Sequence, residues 1–223
     1  MSDIVSTTRQ ELERLSSERR LNTADVRKTS AKLFRALEDR SSASVFHLCE
    51  KLLEERNWAM GVIAYDWAFR VRKHYDEDTF EVFESWLKKY VRDWGDCDDF
   101  CTHAFGELLA QKNELFKRVI PWTQSPDFWV RRASAVILIR PIHHDRYAET
   151  SPFLISDRLM NDDHYLVQKG YGWMLKELSV RETGKVYDYL LKNRKVMPRT
   201  AYRYGLEKMD RSLKAELMKK DQD

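Results

Sequence analysis

Seven glycines and five prolines in 223 residues are too few for a sheet protein, because strands and the turns between them consume both. No strand-like alternation of apolar and polar residues runs through the chain. Three cysteines, Cys49, Cys97 and Cys101, cannot all pair with one another, which excludes a disulfide scaffold and makes a reducing cytoplasm the expected home. With no signal-peptide pattern and no apolar run of spanning length, no membrane association is expected. An excess of one charge is missing too. With 39 basic and 36 acidic residues the net charge is +3, so a nucleic-acid partner cannot be argued from the total and requires the two signs to be segregated. Cys97, Cys101 and His103 offer only three ligands with no second half, so no metal is expected.

What is present fits one large helical domain with a real core. Apolar residues make up 43%, charged residues 34% and aromatic residues 12%. Apolar positions recur at helical spacing in Val45, Leu48, Cys49, Leu52 and Leu53, in Phe80, Phe83, Trp86, Leu87 and Tyr90, and in Val167, Tyr171, Met174, Leu175 and Leu178. Trp58, Val62, Tyr65 and Phe69 form another stripe. Thr23 reads as a helix N-cap, and Asp78 as the cap of a later helix. Ser125-Pro126 and Ser151-Pro152 each read as a capping serine with proline at the first helical position, and Pro198 opens a further helix. The helix after Ser125-Pro126 is expected to run through Trp129 and Ile137 to Pro141. About a dozen helices of roughly 10 to 18 residues result, too short to be stable without packing on neighbours. Antiparallel pairs recurring at roughly 35 to 45 residues fit a HEAT-like or armadillo-like array. Residues 1–21 are expected to form a peripheral helix, 22–210 the array, and 211–223 a solvated terminal helix, all within a single domain.

Three places fit poorly as core. At about 100° per residue, the stripe Cys97, Cys101, Phe105 and Leu108 puts Asp98 on its shoulder and turns Asp96 and Asp99 toward solvent. Trp94, four residues before Asp98, lies on the same side one turn earlier. Around Trp129, Val136 and Ile137, Arg132 falls on the shoulder and Arg131 outside, so Arg132 is either a shoulder salt bridge or a phosphate ligand, for which a guanidinium suits a bidentate contact. Trp173 lies off the stripe of its own helix, between Lys169 and Lys176. Stacking on a sugar or base while lysines hold phosphates explains such a tryptophan, and burial against the neighbouring helix pair of a repeat array is the alternative.

With these stretches located, the chain resembles the HEAT-like-repeat DNA glycosylases of the DNA alkylation repair (AlkD-like) family over roughly residues 25 to 210. The resemblance rests on Asp25-Val26-Arg27, on Trp94-Gly95-Asp96-Cys97-Asp98, on the run from Phe128 to Ala133, and on the run from Gln168 to Glu177. It implies an all-α superhelix of helix pairs with a concave DNA-binding face. Trp94 and Trp173 match cleft tryptophans that contact the deoxyribose, Asp98 matches the catalytic aspartate, and Arg132 a DNA-backbone arginine. Lys176 stands where arginine is usual, and Lys169 flanks the same strand. No role carries over to Arg27, and Gly95 departs from the acidic residue frequent there. The implied activity is excision of cationic N3- or N7-alkylated purines from duplex DNA by a monomer without metal or nucleotide cofactor, in the cytoplasm at the nucleoid. A non-catalytic DNA-structure binder on the same scaffold and a helical scaffold for protein partners are the alternatives.

Overall fold

The computed structural model describes residues 3–18 and 20–219. Among them every regular element is helical, and no helix is long and apolar enough to cross a membrane. The chain divides into two compact units, residues 1–108 and 109–223. The first contains α1 (Ile4–Glu18), α2 (Thr23–Arg35), α3 (Ser42–Glu54), α4 (Trp58–Arg70), α5 (Asp78–Tyr90), α6 (Trp94–Thr102) and most of α7 (Ala104–Gln111). The second holds α8 (Phe116–Val119), α9 (Phe128–Val136), α10 (Ile139–His143), α11 (Pro152–Leu159), α12 (Tyr165–Leu178), α13 (Thr183–Asn193), α14 (Arg199–Gly205) and α15 (Arg211–Leu217). These α-helices are more numerous and shorter than the dozen expected from the stripes.

Most of the difference comes from breaks inside apolar stripes. Cys97, Cys101, Ala104, Phe105 and Leu108 are all fully buried, but the backbone leaves the helical region at His103 (φ −116°, ψ −96°), so α6 and α7 are separate helices. The expected helix up to Pro141 likewise divides at Val136, and Pro141 lies in α10. Its start also differs. Ser125 is not the cap, because Asp127 accepts from the Trp129 amide at 2.8 Å and α9 begins at Phe128. Asn22 rather than Thr23 caps α2, and Asp76 exchanges hydrogen bonds with Thr79 ahead of the position expected of Asp78. At Ser151-Pro152 and Pro198 the helices start where the sequence predicts, though the Ser151 side chain makes no capping hydrogen bond. Both terminal helices are anchored: Val5 and Leu12 of α1 are buried, and the Tyr202 hydroxyl donates to the Leu217 carbonyl of α15 at 2.8 Å. Residues 220–223 of the expected C-terminal segment lie outside the described residues.

The core of the first unit absorbs much of the aromatic content. Tyr65 stacks on Phe100 at 4.6 Å, and Phe83 lies 5.3 Å from Tyr75, Trp86 and Phe100, mostly in edge-on contacts favoured by the ring quadrupoles. In the second unit α12 is the central helix, pressed by neighbours on opposite sides. A Cβ on Gly170 would lie 3.1 Å from the Arg132 side chain of α9, and one on Gly172 would lie 2.8 Å from both the Ala201 carbonyl oxygen and the Tyr204 Cβ of α14. The two glycines are thus required by close helix approach. We predict that Gly172→Ala lowers stability in urea unfolding by about 2–3 kcal/mol, an overpacking cost. Gly184→Ala, in open space on α13, should gain up to about 1 kcal/mol from helix propensity.

Candidate functional site

In the first unit the site is built on α6. Asp93 caps it in extended conformation, its carboxylate accepting from the Asp96 amide at 2.9 Å. Trp94, the first helical residue, therefore projects past the end of the core and is 63% exposed. A tryptophan so placed contributes little to folding, since its transfer energy is realised only on burial. Asp98 follows one turn later and is half-buried, its own carbonyl accepting from the Thr102 hydroxyl at 2.7 Å.

The neighbouring acids are placed differently from expectation, for neither faces solvent. Asp99 pairs closely with the Arg27 guanidinium of α2 and lies 3.3 Å from the His103 imidazole. Arg27 also reaches Asp66 of α4 at 3.3 Å, and Asp66 in turn accepts from Arg70 Nε at 2.7 Å and from the Ser30 hydroxyl. Burial pushes the Asp99 carboxyl up, against the pull of Arg27 and His103. Asp96 lies on the other shoulder of α6, in a cleft of about 110 Å³ whose walls include Trp58, Tyr65 and Tyr90. Burial, reinforced by the Asp93 carboxylate, raises its carboxyl from 3.8 to about 6. The physical reason for the difference is Phe100. It is fully buried, and its inclusion swings the centre of the apolar face toward Asp96.

In the second unit Lys169, Trp173 and Lys176 share α12, spaced so that they lie on neighbouring turns. Trp173 is half-buried, and its indole N–H donates to Glu177 at 3.1 Å. The buried Glu177 also takes His143 at 2.8 Å and Lys208. Burial pushes its carboxyl up, but these two partners outweigh that and hold it below the usual range. Lys176 is paired with Glu207 and lies 6.0 Å from the Tyr204 ring centroid. Arg132 lies deeper than its shoulder position predicts. It is 4% exposed and donates to the Leu166 carbonyl, so its guanidinium joins α9 to α12 instead of facing a phosphate. Arg131, expected outside, is paired with Asp162 at 2.6 Å. Val130 and the run from Arg132 to Val136 are all buried, so α9 is enclosed on more than one side and a single-stripe assignment fails there.

A feature not read from the sequence is a repeated helix start. Asn57-Trp58, Asp93-Trp94, Asp127-Phe128 and His164-Tyr165 each place a side-chain cap before an aromatic first residue. The caps stand 36, 34 and 37 residues apart, the period of a helical repeat. Trp58 is 42% and Tyr165 53% exposed, whereas Phe128 stacks on His164 at 3.7 Å. Trp58, assigned to a buried stripe by spacing, is thus another outward aromatic. The cap-plus-aromatic dipeptide is the signal that could have revealed the period.

The family profile described as DNA alkylation repair enzyme matches residues 19–209. A solved structure described as a predicted DNA alkylation repair enzyme from Enterococcus faecalis is similar in fold, with a TM-score of 0.67 and 15% identity, over 86% of this chain and 87% of that chain. No curated protein matches the chain in sequence.

The raised Asp96 carboxyl gives a prediction with a defined sign. A group harder to ionise in the folded state destabilises it as pH rises from the unfolded value, 3.8, through about 6. Asp96→Asn should therefore be more stable than wild type above pH 7, by on the order of 1–2 kcal/mol allowing for solvent screening. The difference should vanish below about pH 4, as read by urea unfolding across pH.

Proposed function

This chain belongs to the DNA alkylation repair enzyme family, and from that premise we propose that it is a DNA glycosylase releasing cationic N3- or N7-alkylated purines from duplex DNA. The observation that carries the reading is an exposed tryptophan, Trp94, one helical turn from the half-buried carboxylate Asp98. Of the three acids on α6, Asp98 is the one that lies a turn from Trp94 on the same side, while Asp99 is paired with Arg27 and Asp96 lines a cleft on the opposite shoulder.

The chemistry requires few groups. Alkylation at N3 or N7 makes the purine a cation, so when the C1′–N bond breaks both electrons pass to the base and cancel its charge. No general acid is needed. The sugar becomes oxocarbenium-like. Asp98 stabilises that positive charge and orients the water that adds to C1′, whose proton passes to the carboxylate and then to solvent. Trp94 offers the electron-rich face of its indole to the same cation. In the second unit the reading gives Trp173 a deoxyribose contact, its ring set by Glu177, and gives Lys169 and Lys176 the DNA strand. Arg132 drops out of the strand-binding set because it is buried.

A non-catalytic DNA binder is the second reading. It is favoured by Lys176, which stands where the resemblance leads one to expect arginine and is already paired with Glu207. Excision separates the two. Wild-type protein should release 7-methylguanine from methylated duplex DNA, and Trp94→Ala should slow release by roughly 10- to 100-fold, the worth of about 1.4–2.7 kcal/mol of transition-state contact, without lowering the melting temperature. No release by wild type that still binds duplex DNA in a salt-dependent way would favour the binder.

A further inference from the structure

The second unit carries a groove of about 760 Å³, of whose cations only Lys169 has a role in the reading above. It lies along α12 and α14, with Lys214 of α15 also in its lining. Four of its charged side chains are cations, Lys169, Arg199, Arg203 and Lys214, against the single carboxylate of Glu207. Glu207 is already paired with Lys176. The unit thus supplies the local segregation of charge that a net charge of +3 does not disclose.

Arg199 and Arg203 sit on successive turns of α14, both exposed, and among the described residues neither has an ion pair or hydrogen bond. Their guanidinium forks are fully available to an outside acceptor. Lys169 Nζ lies 4.3 Å from the Tyr165 ring centroid and 5.7 Å from that of Tyr204. The ammonium therefore lies against both rings, and the groove brings cations and phenol hydroxyls together. That is chemistry for phosphate oxygens. The approach of α14 to α12 across Gly172 fixes the spacing of these groups. Independently, Tyr165 follows the His164 cap as Trp94 follows the Asp93 cap, so the groove opens beside the helix start that the repeat uses to present an aromatic.

We propose that this groove binds the sugar-phosphate backbone of duplex DNA, with Arg199 and Arg203 as the principal phosphate ligands and Lys169 and Lys214 beside them. The choice of DNA over other polyanions rests on the functional reading above. The groove takes the strand-binding role that Arg132 cannot fill.

The test is binding of an unmodified duplex oligonucleotide, followed by fluorescence anisotropy over a salt series, so that it does not depend on base release. The Arg199→Ala/Arg203→Ala variant should bind about tenfold more weakly at low salt, with the slope of log affinity against log salt reduced by about 2, one for each phosphate ligand removed. Its melting temperature should equal that of wild type, and Arg199→Lys/Arg203→Lys should recover most of the slope. Wild-type affinity and slope in the alanine variant would overturn the proposal. Loss of inorganic phosphate binding alone, with duplex binding intact, would also overturn it and mark a small-anion site. Absence of duplex binding by wild type would defeat the groove whatever the excision assay gives. Duplex binding through Arg199 and Arg203 without base release would sustain the groove and defeat the glycosylase reading.

Discussion

The Arg27 guanidinium is the contact on which the geometry of the first unit's site depends. It joins Asp66 of α4 to Asp99 of α6 from its place on α2, and Asp66 is bound further by Ser30 and Arg70. Removing one member of such a partly buried network leaves an uncompensated charge, at a cost of about 3–5 kcal/mol. The network also has a directional effect. With Asp99 held against α2 and α4, the roll of α6 about its axis is fixed, and Asp98 is turned about 100° from it. The Asp93 cap fixes the helix start one turn earlier and with it the outward position of Trp94. The pairing of an exposed indole with a half-buried carboxylate follows from these two constraints.

The second unit uses the same physics in another form. Its α12 is gripped on both sides, by Arg132 against Gly170 and by α14 against Gly172. The rigidity this imposes lets a half-buried Trp173 hold one orientation through the Glu177 carboxylate, which is anchored by Lys208 and His143. Cations near this helix fall into two groups. Arg132, Arg131 and Lys176 are committed within the chain, while Arg199 and Arg203 extend outward. Sequence resemblance points to Arg132 and Lys176 of the first group for strand binding, and electrostatics points to the second.

The helical class, the stripes of α3, α5 and α12, and the off-centre position of Trp173 were legible because periodicity is a local property of the chain. The acids of α6 were not. A stripe drawn through Cys97, Cys101, Phe105 and Leu108 omits Phe100 and crosses the break at His103. Both errors rotate the inferred core away from Asp96, and nothing local to α6 announces that Arg27, some seventy residues earlier, will meet Asp99. Arg132 was misplaced because α9 is covered on more than one side, so its burial depends on tertiary neighbours that a helical wheel does not contain. The repeat itself was legible in principle, through the capped aromatics at 58, 94, 128 and 165.

Asp98, as the group that meets the developing sugar cation, is central to the proposed mechanism. The direct measurement is single-turnover release of 7-methylguanine from duplex DNA by Asp98→Asn beside wild type, with affinity for an abasic-like duplex measured on both. The mechanism predicts that the variant binds the abasic-like duplex as wild type does and releases base at least about 100-fold more slowly, the scale of one missing electrostatic stabiliser. Equal release rates for the two proteins would contradict it and remove Asp98 from the chemistry.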